Sequence, residues 1–204
     1  MPARSRLPNC LALAVVVLLA VGMRPVLAQG AAPPAVPNQK DQGIPAPLQP
    51  GDAFGEEMTL TSHPIVFLKG KANWDDAFAT LVDAFKSLNE YLAKQGLKPN
   101  GPFITIYTET DDAGFSFEAA APIDKVPDNP PKGDIAAGQS PSGKALKFVH
   151  RGSYAAIDST YEAITNFLDE KKLDAKDILI EEYTTDPVKT DPERLTINVY
   201  VPVK

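Results

Sequence analysis

Apolar and polar positions along this chain change rhythm several times, and the order of those changes repeats. Met58 to Leu60 and Ile65 to Leu68 look like short strands. After Gly70 the spacing widens to that of a helix: Trp74, Phe78, Leu81, Val82, Phe85, Leu88 and Leu92 fall on one face. Asn73 is placed to cap this helix, Asp75 and Asp76 fall in its first turn, and Gly96 supplies a stop. Phe103 to Thr108 and Phe115 to Ala119 are again strand-like, and Asp111, Asp112 and Gly114 between them favour a hairpin.

A Pro- and Gly-rich passage from Pro122 to Gly143 precedes a second copy of this order. Leu146 to Val149 reads as a strand; Ile157, Tyr161, Ile164 and Leu168 mark a second amphipathic helix; Ile178 to Thr184 and Leu195 to Val201 form a second hairpin. Gly70 aligns with Gly152, Thr105 with Glu181 and Tyr107 with Tyr183. The predicted fold is α+β: two β-α-β-β repeats related by a pseudo-two-fold axis, with antiparallel sheets and one long helix per repeat. Repeat one spans 56–121, a linker 122–143 and repeat two 144–204. A cleft between the halves is the default ligand site.

Residues 29–55 are rich in Pro, Ala, Gln and Gly, a composition that buries too little apolar surface to offset its ordering entropy. They are read as a flexible tether. Residues 1–28 carry Arg4 and Arg6, an apolar run from Leu11 to Val21, and Val26-Leu27-Ala28 before Gln29. That order is the one found in a cleavable secretory signal, and the run is shorter than the roughly 20 residues a bilayer span needs. The expectation is a periplasmic or secreted protein with no stable membrane insertion once the signal is cleaved. Cys10, the only cysteine, leaves with the signal, so the mature fold rests on its core and not on disulfides. Without Arg4, Arg6 and Arg24 the chain keeps 17 basic against 26 acidic residues, a formal charge of −9. So acidic a surface argues against nucleic acid or anionic membrane as partner. A monomer or weak dimer is expected.

Candidate chemistry concentrates in repeat two. Glu181 and Tyr183 lie two apart on a strand and share a face, whereas Glu182 points the other way. A carboxylate flanked by aromatic rings can hold an organic cation through charge and ring quadrupole together. Tyr107, Tyr154, Phe117 and, less favourably placed, Trp74 are the other aromatics that can line a groove. His63 and His150 have no ligand-type residues at metal spacing, so neither a metal nor a haem is assigned, and no phosphate loop or dinucleotide fingerprint implies another cofactor. A nucleophile-elbow motif is also absent. Turnover, if any, would use Glu181 as a general base on water.

In repeat two, His150-Arg151-Gly152-Ser153-Tyr154 at a strand-to-helix junction is followed by Glu181-Glu182-Tyr183, Asp186-Pro187, Thr190, Pro192-Glu193, Leu195-Thr196-Ile197 and Pro202-Val203. In this order and spacing the segment resembles the closing part of GyrI-like small-molecule-binding domains, also called the bacterial transcription-activator effector-binding domain. The resemblance extends over roughly residues 56–204 and is sharp in the second half. It implies two β-α-β-β modules, an aromatic groove, and an acidic residue, at the position of Glu181, that helps hold cationic or amphipathic organic ligands. Members stand alone, follow DNA-binding helices, or hydrolyse small reactive compounds. With no helix-turn-helix segment ahead of the domain, the expected role is that of an exported protein binding a small hydrophobic or cationic molecule through Glu181, Tyr183, Tyr154, Tyr107 and Phe117. A cofactor-free hydrolase using the same glutamate, and a protein-interaction module using the acidic surface or the tether, are the alternatives.

Overall fold

The computed structural model describes residues 49–131 and 133–204; the signal and most of the tether lie outside them. Eight strands and two long helices follow one another as β1 (Phe54–Leu60), β2 (Pro64–Asn73), α1 (Ala77–Lys94), β3 (Phe103–Thr110), β4 (Gly114–Pro122), β5 (Ile135–Gln139), β6 (Gly143–Gly152), α2 (Ile157–Lys171), β7 (Leu179–Tyr183) and β8 (Leu195–Pro202). Each helix is preceded by a single 3-10 turn, Trp74–Asp76 and Tyr154–Ala156. Leu81, Phe85, Leu88 and Leu92 are fully buried on α1, the stripe that the sequence spacing predicts. Burial of each such side chain stabilises by ~1.5–3 kcal/mol relative to leaving it in water. The helix stops at Gly96, whose φ of 66° lets its N–H reach Ala93 O and the N–H of Leu97 reach Leu92 O.

All strands belong to one antiparallel sheet in the order β1-β6-β8-β7-β3-β4-β2-β5. Read from either end, this order interchanges β1 with β5, β2 with β6, β4 with β8 and β3 with β7, so the pseudo-two-fold axis runs between β7 and β3. The opening strand of each repeat crosses to the other half: β1 pairs with β6 and β5 with β2. Both helices cover one face, over a core that includes Phe85, Phe148, Tyr183 and Ile197.

Chain length forces the sheet to curl. Strands β1 and β2 stand six places apart in the order, about 29 Å in a flat sheet, yet four Cα steps from Leu60 to Pro64 reach ~15 Å at most. The link from Gln139 to Gly143 meets the same limit between β5 and β6. The two links are joined by hydrogen bonds from Ser140 N to His63 O (2.8 Å) and from His63 N to Ser140 Oγ (2.9 Å). On the face without helices, Ile65, Ile104, Ile106, Ala120, Ile180 and Tyr200 are therefore buried, with Met58 and Leu60 folded against them.

Three expectations change. The fold begins before residue 56: Phe54 pairs with Phe148, and Arg151 grips Asp52 through Nε and Nη2 at 2.7–3.0 Å. The segment 122–143 contributes an edge strand, β5, because its Ile-Ala-Ala run is apolar enough to extend the sheet. Gly70 does not correspond to Gly152. The 3-10 turns superpose Asn73 on Ser153 and Trp74 on Tyr154, which leaves Gly70 inside β2, where the ring of Phe117 occupies the space of a Cβ.

Candidate functional site

At the two-fold seam Thr105 of β3 stands opposite Glu181 of β7, both on the helix-covered face. Glu181 has no exposed surface, and no Lys or Arg among the described residues pairs with it. Its carboxylate instead accepts hydrogen bonds from two phenols, Tyr161 Oη of α2 and Tyr183 Oη of its own strand, the latter at 2.6 Å. Burial pushes the Glu181 carboxyl above its usual range, and the bonds from Tyr161 and Tyr183 oppose that rise. Burial, reinforced by the negative charge of Glu181, holds the hydroxyls of Tyr161 and Tyr183 well above the usual phenol range, so both remain donors. Beside them the hydroxyls of Tyr107 and Tyr154 meet at 3.1 Å.

Above this tyrosine layer a cavity of about 890 Å³ opens between the beginnings of the two helices. Tyr107 and Tyr161 form its floor; Trp74, Phe78, Tyr154 and Ile157 form its walls. Phe78 from repeat one stacks on Tyr154 from repeat two, with ring centres 4.7 Å apart. Trp74 leans on Phe115 at 4.8 Å, and its indole N–H donates to Asp111 O at 2.8 Å. The charged groups in the lining are all acids: Asp75, Asp111, Asp112, Asp158 and Glu193. An aromatic cavity with an acidic rim, backed by a buried carboxylate, creates a negative field that favours cations with apolar bodies. A shallower depression of about 570 Å³ beside β2 and the β3–β4 turn contains Lys71 among carboxylates and has no buried ionisable floor.

Tyr154 is held by its neighbours. Ser153 Oγ caps the turn by accepting from Ala155 N (3.2 Å) and donates to Glu193 at the rim (3.0 Å). His150, buried beneath, contacts Ser153 O through Nε2 at 3.0 Å and Thr160 Oγ1 through Nδ1 at 2.8 Å. A carbonyl can only accept, so Nε2 carries the proton and Nδ1 accepts from the Thr160 hydroxyl. Burial lowers the His150 pKa, which fits a neutral ring tying β6 to α2. Among the described residues no three His, Cys, Asp or Glu side chains converge as metal ligands do.

Residues 56–204 match the GyrI-like small molecule binding domain. The chain belongs to this family. The GyrI-like domain is structurally similar to EcmrR in its complex with DNA, with a TM-score of 0.64 at 14% identity, covering 74% of this chain and 57% of that one. This chain thus spans just over half of that EcmrR chain. The EcmrR C-terminal domain taken alone gives a TM-score of 0.59 at 13% identity, covering 74% of this chain and 98% of the domain. SAV2435 bound to tetraphenylphosphonium gives 0.51 at 16% identity, covering 74% and 94%. At these identities the likeness concerns the fold. Curated proteins offer no sequence match.

Four of the five residues expected at the GyrI-like site come together. Glu181 and Tyr183 lie under the floor, and Tyr107 and Tyr154 face the cavity. Phe117 does not join the lining: it is 2% exposed and packs over Gly70 and against Phe115, on the sheet side of the cavity wall. Trp74, assigned by spacing to the buried helix stripe, is 45% exposed, because the 3-10 turn rotates it out over the cavity. Tyr161 and Phe78 entered the sequence pattern only as helix-face residues. A phenol in the buried stripe of α2 needs a polar partner, and that requirement was the available pointer to Glu181.

Proposed function

We propose that this GyrI-like domain binds a small organic cation with an aromatic or aliphatic body in the cavity between its two repeats. The observation that carries the reading is the Glu181 carboxylate: fully buried, without a cationic partner, and joined by hydrogen bonds to the tyrosine that floors an aromatic, acid-rimmed cavity. Unpaired buried charge is costly, so a site that keeps one gains most from a ligand that neutralises it. Tyr161 donates a hydrogen bond to Glu181 and lines the cavity with its electron-rich ring, where a cation meets it. The volume lies within the ~300–1,000 Å³ of small-molecule sites. The tetraphenylphosphonium carried by SAV2435 is a ligand of this class and supports the choice of probe.

The deciding experiment compares tetraphenylphosphonium with tetraphenylborate, nearly the same shape with the opposite charge. The phosphonium should raise the unfolding temperature, by the equivalent of ~2.7 kcal/mol at 100 times its Kd, and the borate should not. Glu181→Gln should weaken phosphonium binding at least tenfold. Equal shifts with both ions would end the charge argument, and an unchanged affinity in Glu181→Gln would remove Glu181 from the site.

The same proposal places the domain outside the cytoplasm, on the strength of the basic, apolar and small-residue order of residues 1–28. Sequencing the protein recovered from a periplasmic or culture fraction should begin at Gln29. A chain retaining residue 1 in the cytoplasmic fraction would refute export.

A further inference from the structure

The sheet has a second face, and it holds a second, smaller cavity. Where β1 and the links 61–63 and 140–142 fold beneath the central strands, they enclose about 300 Å³ lined by Met58, Leu60, Ile104, Ile180, Tyr200 and Glu182. The volume is that of about ten water molecules at ~30 Å³ each. Glu182 immediately follows Glu181 in the chain, so the strand pleat sends the two carboxylates to opposite faces.

One half of the Glu182 carboxylate is fixed and the other half is free. Oε2 accepts from Tyr200 Oη and from Asn198 Nδ2, each at 2.7 Å. Burial first, then the bond to Glu182, keeps the Tyr200 hydroxyl far above the usual phenol range, so Tyr200 stays a donor. Among the described residues no donor reaches Oε1, and no Lys or Arg pairs with Glu182 or lines the cavity. The lining also includes Thr59, Thr61, His63 and Ser140, but Met58, Ile65, Ile104 and Ile180 give it an apolar side. A carboxylate oriented by two neutral donors, with an oxygen to spare beside that apolar side, suits a single ammonium group on a short hydrocarbon. The mouth of a curled β-sheet is a recurrent place for such sites.

We propose that this hollow is a second ligand site, separate from the helix-side cavity, which takes a small primary amine: the ammonium donates to Glu182 Oε1 and the hydrocarbon lies among Met58, Ile104 and Ile180. Its size excludes cations as bulky as tetraphenylphosphonium, the probe for the other face. The two sites lie on opposite faces of the central strands β3 and β7 and have no lining residue in common, so each can fail alone.

The test is methyl NMR on the mature protein titrated with phenethylammonium and, separately, with 2-phenylethanol. The amine should shift the methyls of Met58, Ile104 and Ile180, with an affinity at least tenfold above that of the alcohol. Glu182→Gln should reduce that affinity tenfold or more, and Glu181→Gln should change it less than twofold. Met58→Trp fills the hollow from the edge strand without touching the carboxylate and should abolish the shifts, which keeps the test decisive if Glu182→Gln does not fold. Shifts confined to Ile157 and Leu179 would assign the amine to the helix-side cavity and overturn the proposal. So would equal binding of the alcohol, or no shift at millimolar amine.

Discussion

The two repeats build the same frame and fill it with different chemistry. At the third position of the central strands, β3 carries Thr105 and β7 carries Glu181; at the fifth position of the helices, α1 carries Leu81 and α2 carries Tyr161; at the head of the 3-10 turns stand Trp74 and Tyr154. Repeat one thus contributes apolar wall and repeat two contributes the carboxylate with its donor. Both Thr105 and Glu181 have no exposed surface, so the difference between them is not one of burial. A fold with two-fold symmetry brings equivalent positions together at its axis, and two buried glutamates there would repel each other. Divergence at Thr105 leaves one charge at the seam, which two phenols can satisfy.

The largest effect should come from breaking that asymmetry. Tyr161→Phe keeps the ring but removes one of the two donors to Glu181, and should cost ~1.5–3 kcal/mol in urea unfolding, the range for a hydrogen bond to a charged group. Adding Glu181→Thr, which copies repeat one, should recover much of that loss, because no carboxylate then remains to be satisfied. Single effects that simply add within ~0.5 kcal/mol would show that Tyr161 and Glu181 are not coupled.

A change of pH sharpens the same contrast. The Glu181 carboxyl titrates above its ordinary 4.5 in the folded chain. Its contribution to stability is therefore complete below that value and is lost as pH rises through the raised value, with a slope of at most ~1.4 kcal/mol per pH unit for one proton. Glu181→Gln should lack this component of the decline. Affinity for tetraphenylphosphonium should rise over the same window, since the ionised form attracts the cation, and calorimetric titrations at several pH values would detect it.

Helix ends give a smaller effect. Both helices close with the same pair of bonds, Gly96 to Ala93 and Leu97 to Leu92 in α1, Lys172 to Asp169 and Leu173 to Leu168 in α2. Glycine holds the left-handed position in the first, but Lys172 holds it in the second at φ 55°. Lys172→Gly should stabilise by ~1 kcal/mol, whereas Gly96→Ala should destabilise by a similar amount. Equal and opposite shifts in the unfolding midpoint would confirm that the motifs are equivalent.

The edge strands supply the smallest. Asp52 anchors the entry to β1, and its hydrogen bonds from Arg151 and Gln49 hold the carboxyl at about 2. This depressed value makes the contribution present above 3.8 and lost as pH falls through about 2. Arg151→Ala should flatten that acid limb, which urea midpoints between pH 2 and 5 would reveal. An unchanged limb would assign the anchoring to the β1–β6 pairing alone.

Periodicity along the chain determined both helices, both hairpins, the α+β class and the existence of two copies, because each rests on residues within one turn or one strand of each other. It also put Glu181 and Tyr183 on one face and Glu182 on the other, since the pleat alone decides that. What local pattern could not show was which elements meet. The pairing of β1 with β6 and of β5 with β2 joins residues nearly ninety and seventy positions apart, so an Ala-rich run inside a linker gave no sign of being a strand. Three-residue links across six strand positions curl the sheet, and only that curl makes a hollow beside Glu182. Tyr161 read as one more helix-face residue until the packing of α2 brought its hydroxyl to Glu181, and Phe117 read as groove lining until Gly70 drew it into the core. Sequence spacing fixes the direction of a side chain from its own element; the chemistry it meets there is set by long-range packing.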